Sequence, residues 1–287
     1  MSYQKEQHIF DVEIAPRCNY KCPTCLLGNR LHPANLNERR YDPELTEKII
    51  AYIPRGSHLN YVGLGEPTLF QDRIIKIHTE RQDTTGHIQT NGTNKLEKEL
   101  QQLINKKIIS VGLSYDPHHE QGNTRKLHQR IQPEYVDSIS IATNSESHTI
   151  DMRLKEKYSR LDHILLDPFF DENMTITINW ETMKRALRKA RNENPNTRVW
   201  TGLQEAWIRD ENNTQYFHEA IKDGLHHLEE RWYEHSDGFI VRIEDPTFGG
   251  LIRILTDGHI TSNTFDMIKS WEEIDKLQLK KIESLGG

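Results

Sequence analysis

The sequence predicts an α/β chain assembled from parallel βα units, and three observations predict it. Six short β-rich runs lie between residues 9 and 170, each separated from the next by a segment of helix length or less. Several of the intervening segments place apolar residues at helical spacing. The loops that follow the runs hold the chain's unusual residues, including all three of its cysteines.

Taken in order, "IFDVEI" (Ile9 to Ile14) alternates as a strand and leads into the cysteine loop. "LTEKIIAYI" (Leu45 to Ile53) is helical, and "LNYVGLG" from Leu59 is the second strand. "RIIKIHTERQ" is helical, "GHIQTNG" is a strand ending in a turn pair, and "LEKELQQLINK" is a helix. The fourth, fifth and sixth strands are "IISVGLSYD", "VDSISIATN" and "DHILLDPFF". A helix over Trp180 to Asn194 is halted by Pro195, and "TRVWTGLQEAWI" reads as one more strand. "TQYFHEAIKDGLHHLEERWY" reads as a helix throughout, which places His226 and His227 on it as structural residues. Near the end, Asp257-Gly258 sits between two alternating runs, the strongest short-range hairpin signal. The expected division is therefore residues 1–234, holding the βα units and following helices, and residues 235–287, a small α+β extension of hairpin and helix.

Composition bounds the function. The net charge of −6 provides no basic field for nucleic acid. No apolar run approaches the roughly 18 residues a helix needs to cross a membrane, and the polar N-terminus does not resemble a signal peptide. An odd cysteine count argues against a secreted disulfide framework, so a cytoplasmic protein is expected. The basic helix face of Lys184, Arg185, Arg188, Lys189 and Arg191 reads as solvated, and Trp200, Trp207, Trp232 and Trp271 as packing residues.

Cys18, Cys22 and Cys25 occupy one short loop in a C-x3-C-x2-C spacing, which makes a metal site. Two metals fit that spacing. Zinc would take His32 as a fourth ligand; a four-iron, four-sulfur cluster would leave one iron open for a small chelating ligand.

With its neighbouring loops, this stretch resembles the radical S-adenosylmethionine (radical SAM) superfamily. The cysteine spacing follows the first strand, "GLGEP" (Gly63 to Pro67) the second and "QTNGT" (Gln89 to Thr93) the third, with "LSYD" and "IATN" ending the fourth and fifth. The resemblance covers roughly residues 8 to 170 and implies a partial (βα)6 TIM-like barrel holding a single 4Fe-4S cluster on Cys18, Cys22 and Cys25. It implies contacts to S-adenosylmethionine (SAM) from Tyr20, Thr24, Gly63, Gly65, Glu66, Pro67, Thr90, Asn91, Ser114 and Asn144. In this reading Gly63 and Gly65 admit the ligand to the backbone, so a side chain at Gly65 should impair SAM binding and spare the iron. Glu66 would face the SAM ammonium. Thr24 departs from the apolar or aromatic residue common before the third cysteine, and Tyr20 is the nearest aromatic. Asp116 is given to ribose or substrate, and His118-His119 to substrate contact.

The implied activity is reductive cleavage of SAM to a 5′-deoxyadenosyl radical that abstracts hydrogen from substrate. The expected substrate is a small polar metabolite (sugar, aminocyclitol or nucleoside), with a ribosomal peptide as the alternative and flavodoxin or ferredoxin as electron donor. The tail weakly resembles a SPASM or twitch extension without its cysteines. With every thiol committed, no cysteine remains as a hydrogen donor or auxiliary-cluster ligand, so elimination, rearrangement or cyclisation is expected over epimerisation, for which Tyr115 is the candidate donor. A SAM-binding sensor and a zinc module are the non-enzyme readings.

Overall fold

The computed structural model describes residues 8–19, 41–63, 65–115, 130–143, 152–169, 175–204, 211–229, 232–244, 251–261 and 276–286. The strands are β1 (Ile9–Val12), β2 (His58–Tyr61), β3 (Thr85–Thr90), β4 (Ile109–Tyr115), β5 (Ser138–Thr143), β6 (His163–Pro168) and β7 (Arg198–Gln204). They continue with β8 (Leu225–Glu229), β9 (Trp232–His235), β10 (Ile240–Glu244), β11 (Leu251–Ile254) and β12 (Ile260–Thr261). The α-helices are α1 (Leu45–Tyr52), α2 (Gln71–Glu80), α3 (Lys98–Asn105), α4 (Leu154–Lys157), α5 (Trp180–Glu193) and α6 (Glu211–Lys222). Every strand expected from the alternating runs through residue 204 is present. Among the described residues no helix is long and apolar enough to cross a membrane.

The chain divides into two compact units, residues 1–111 with 247–287, and residues 112–246. This division differs from one at 234/235, because the chain returns to its first unit at the end.

In the first unit the strands lie in the order β12-β11-β1-β2-β3, followed by the start of β4. β1 runs parallel to β2 on one side and to β11 on the other, and β2 runs parallel to β3. The apolar stripes Ile74/Ile77 of α2 and Leu100/Leu103/Ile104 of α3 are buried with Val12, Leu59, Tyr61 and Ile88, the alternate strand residues that share this core. His78 on α2 belongs to that core. Its Nε2 lies 2.9 Å from Tyr61 Oη and its Nδ1 3.1 Å from Thr84 Oγ1. Because the Thr84 hydroxyl donates to the Arg81 carbonyl (2.7 Å), Nδ1 is the donating nitrogen and Nε2 accepts from Tyr61. Burial pushes the His78 imidazole down to about 4.

The expected hairpin is present. Gly258 takes φ +81° in the turn, and Arg253 and Ile254 of β11 face Thr261 and Ile260 of β12. It does not stand apart as an extension, since β11 lies in register beside β1 and the Glu13 N–H donates to the Ile254 carbonyl (2.9 Å). Arg253 Nη2 donates to Asp11 Oδ2 at 2.6 Å; both side chains are buried, and Asn60 Nδ2 donates to the other Asp11 oxygen (3.1 Å).

In the second unit the end of β4 begins an order β4-β5-β6-β7-β10-β9-β8, parallel from β4 through β10 and antiparallel at β9 and β8. The long helix expected over residues 214–233 stops at Lys222. Gly224, at φ +69°, turns the chain, and His226 and His227 lie on β8, not on a helix. Antiparallel pairing of β8 with β9 outweighs the helical pattern of these residues. The basic face of α5 is held in ion pairs: Lys184 meets Asp223 (2.7 Å) and Glu181 (2.8 Å), and Arg188 meets Asp237. Trp200 and Trp232 pack edge to face at 5.5 Å, the packing role expected of them; Trp207 and Trp271 lie outside the described residues.

Two outcomes test this architecture. Arg253→Met leaves the Asp11 carboxylate buried without its charged partner, and we expect a loss of about 3 kcal/mol in urea unfolding. His78 titrates near its ordinary value when unfolded and far lower when folded, so the unfolded state binds more protons between pH 6.5 and about 4. Stability should therefore be steady above pH 6.5 and fall across that window by on the order of 3 kcal/mol. Unfolding of His78→Asn at pH 7 and pH 5 should show a smaller fall.

Candidate cofactor site at the ends of the first three strands

The site begins where β1 ends. Cys18 is partly exposed, and the chain's neighbouring carbonyl, Arg17, accepts from the Glu66 N–H at 3.0 Å. That bond draws the loop after β2 to the loop after β1. Glu66 also caps the short 3-10 turn Pro67–Phe70, in which Pro67 occupies the first turn, where no donor is missed.

The Glu66 carboxylate is 2% exposed and engaged on both oxygens. Oε1 accepts from the Thr68 N–H (3.0 Å), from the Thr68 hydroxyl and from the Thr90 hydroxyl (2.6 Å), and Oε2 accepts from the Asn91 N–H (2.8 Å). One carboxylate therefore joins the ends of β2 and β3. Its described contacts are with the chain's own hydroxyl and amide donors.

Asn91 and Gly92 form a turn, with Gly92 at φ +75° and its N–H donating to Thr90 Oγ1 (3.1 Å). Asn91 does more than turn the chain. Its Oδ1 accepts from the Thr93 N–H (3.0 Å), which orients Nδ2 toward the end of β1. Nδ2 there donates to Asn19 Oδ1 (3.1 Å) and to Cys18 Sγ (3.6 Å). Asn19 Nδ2 in turn donates to Thr93 Oγ1 at 2.6 Å.

The glycines answer first to the chain itself. Gly63 has φ +128°, and a Cβ placed on it would lie 2.7 Å from Glu13 Cγ. A Cβ on Gly65 would lie 2.0 Å from the Ala15 carbonyl oxygen, three residues before Cys18. The close approach at Gly65 is thus to the strand that carries the cysteines, which alters the expectation that a side chain there spares the metal loop.

Of the residues singled out from sequence, the first unit brings together Cys18, Gly63, Gly65, Glu66, Pro67, Thr90 and Asn91. Ser114 and Tyr115 end β4 in the second unit, their backbones paired with Ser140 and Ile141. Tyr20, Cys22, Thr24, Cys25, His32, Asp116, His118, His119 and Asn144 lie outside the described residues, as does the Tyr115 side chain. Among the described residues no three His, Cys, Asp or Glu side chains form a metal cluster. Sequence reading passed over Thr68, Asn19 and Asn94, whose Nδ2 donates to Thr68 Oγ1 (3.1 Å). The available signal was position: each is adjacent to a quoted motif, and Thr, Asn and Ser at strand ends commonly bond nearby backbone and side chains.

No family model matches the chain, and no curated protein matches it. Solved structures do. The chain is similar to native anSMEcpe with bound AdoMet and a Cp18Cys peptide (TM-score 0.52, 12% identity, 97% of this chain and 81% of that one). It is similar to hexahistidine-tagged anSMEcpe with bound AdoMet (TM-score 0.56, 14% identity, 98% and 78%). It is also similar to Streptococcus suis SuiB bound to S-adenosylmethionine (TM-score 0.60, 13% identity), covering 97% of this chain and 64% of SuiB. The α/β fold with a mostly parallel sheet is therefore shared with SAM-bound proteins, in agreement with the radical SAM resemblance carried by the loop motifs.

Gly65→Ala tests the packing at this site. The added methyl must displace the Ala15 carbonyl, a backbone atom, and overpacking of this kind costs about 1–3 kcal/mol. We expect both a lower urea midpoint and a lower iron content after anaerobic reconstitution. Full iron content with weakened SAM binding alone would restore the ligand-only role of Gly65.

Proposed function

We propose that this chain is a radical SAM enzyme with one 4Fe-4S cluster on Cys18, Cys22 and Cys25, set in a partial (βα)6 barrel. The single observation that carries the reading is the convergence of three motif loops at the ends of parallel strands, with Cys18 tied to Asn91 and Arg17 tied to Glu66. The donor set fits such a cluster: three thiols in one loop, no fourth cysteine in the sequence, and an amide donor directed at the one ligand sulfur described. When bound, cluster and SAM would supply reductive cleavage to a 5′-deoxyadenosyl radical, with electrons from a flavodoxin or ferredoxin.

The chain's own residues would position these groups. Glu66 and the Thr68/Thr90 hydroxyls hold the loops; Gly63 and Gly65 bring them close to β1; Asn91 donates to Cys18. Ser114 and Asn144 are proposed SAM contacts, and Tyr115 and Asp116 are proposed to face substrate.

For substrate we propose a polar molecule. The strand side chains opposite the helices in the first unit include Asn60, His87 and Gln89, all partly exposed, which supports a small polar metabolite. A peptide is the second reading, favoured by the Cp18Cys peptide in the similar anSMEcpe structure.

Anaerobically reconstituted protein should be brown, with about four irons and four sulfides per chain. Dithionite and SAM should yield 5′-deoxyadenosine, and Cys22→Ala should abolish colour and product together. A colourless zinc-loaded protein would overturn the reading in favour of Cys3His. Stable SAM binding without cleavage under any reductant would overturn it in favour of a sensor.

A further inference from the structure

The Asn91 side chain reaches the described cysteine from another loop, and its orientation is over-determined. The backbone N–H is held by Glu66 Oε2 (2.8 Å), the amide oxygen by the Thr93 N–H (3.0 Å), and one amide hydrogen by Asn19 Oδ1 (3.1 Å). The remaining amide hydrogen is left for Cys18 Sγ at 3.6 Å, within the reach of an N–H···S bond. Asn19 is itself anchored on Thr93 (2.6 Å), so the donor cannot rotate away without breaking several bonds. Nothing in the turn requires this donor. An aspartate at 91 would keep the backbone N–H and the side-chain acceptor for Thr93. In place of the donor it would set a carboxylate oxygen against Cys18 Sγ and Asn19 Oδ1, so the lost bond and the added charge both act against the reduced cluster.

We propose that Asn91 is a positioning residue that raises the electron affinity of the cluster by donating a hydrogen bond to the Cys18 thiolate. The inference rests on the radical SAM reading above. An N–H directed at a ligand sulfur stabilises the state with more negative charge on that sulfur, which is the reduced cluster. The bond acts on one of three ligands, so it also biases where the added electron density falls. Glu66 contributes at one remove: its burial and four bonds fix the backbone from which the amide projects.

The test compares midpoint potentials, titrated with dithionite and followed by EPR of the reduced cluster, for wild type, Asn91→Asp and Thr93→Ala. We expect Asn91→Asp to hold about four irons but to disfavour reduction by about tenfold, a shift of about 59 mV for one electron. Thr93→Ala keeps the Thr93 N–H that holds the Asn91 oxygen but loses the anchor of Asn19, so its potential should shift in the same direction by clearly less than that of Asn91→Asp. Equal shifts in both variants would mean that general loosening of the loop is responsible and would overturn the proposal. An Asn91→Asp protein with full iron and an unchanged potential would overturn it while leaving the enzyme reading intact; a wild type that binds no iron would sink that reading itself. A measurement on wild type alone guards against a variant that fails to assemble. Pulsed EPR of protein labelled with 15N-asparagine should show an amide nitrogen coupled to the reduced cluster, and absence of that coupling would also overturn the proposal.

Discussion

The carboxylate of Glu66 is the point on which the candidate site depends. A buried carboxylate is costly unless its lone pairs are filled, and here four donors from two loops fill them. Bonds to a charged acceptor contribute roughly 1.5–3 kcal/mol each, so the loops after β2 and β3 are bound to one another more firmly than surface loops ordinarily are. The same residue's N–H holds the Arg17 carbonyl, one residue before Cys18. Three strand ends are thereby fixed by one side chain and its backbone. The motif "GEP" is legible in these terms: Gly65 permits approach to Ala15, Glu66 supplies the anchor, and Pro67 starts the turn that presents the Thr68 donors.

The strand that bears the cysteines is braced from a distance in sequence. β11 returns beside β1, and Arg253 reaches Asp11 across 242 positions. Without β11, β1 would be an edge strand with one side of its backbone open. With it, β1 is paired on both sides, and the loop leaving β1 departs from an interior strand. A loop proposed to carry metal ligands would gain from such a start, because ligand geometry is held only as well as the element it grows from.

The strands through β7, the helices α1, α2, α3 and α5 and the hairpin at Asp257-Gly258 were legible, since each rests on local alternation, helical spacing or turn chemistry. The four-residue α4 (Leu154–Lys157) was not, being too short to show a period. Where β11 pairs was not legible: Leu251 to Ile254 reads as an ordinary strand, and only tertiary packing places it parallel to β1. His226 and His227 were misplaced for a related reason, because a single Gly224 divides a helix from a strand whose pairing partner, β9, follows it. At the site, Cys18, Glu66 and Asn91 were legible as a group, but their partners were not. That Glu66 is occupied by Thr68, Thr90 and Asn91 depends on side-chain geometry, which a motif does not encode. The same holds for Gly65, where the neighbour is the chain's own carbonyl.

The two faces of the first unit's sheet divide the work. On one face Leu59, Tyr61, Gly86 and Ile88 are buried, and His78 of α2 lies against Tyr61 and close over Gly86. On the other, His58, Asn60, Thr85, His87 and Gln89 are only partly buried and bond to one another and their neighbours, His58 to Thr85 and His87 to Ser110, each at 2.8 Å. Parallel sheets usually bury apolar side chains on both faces. Placing polar residues here forgoes apolar burial worth roughly 25 cal/mol per Å2, a sacrifice that stability alone does not explain. It leaves a hydrogen-bonding surface running along β3 to Gln89, two residues before Asn91. Under the proposed function a surface of that kind would suit a polar molecule held beside the strand ends, and the same residues already satisfy one another, as His58 does Thr85 and His87 does Ser110.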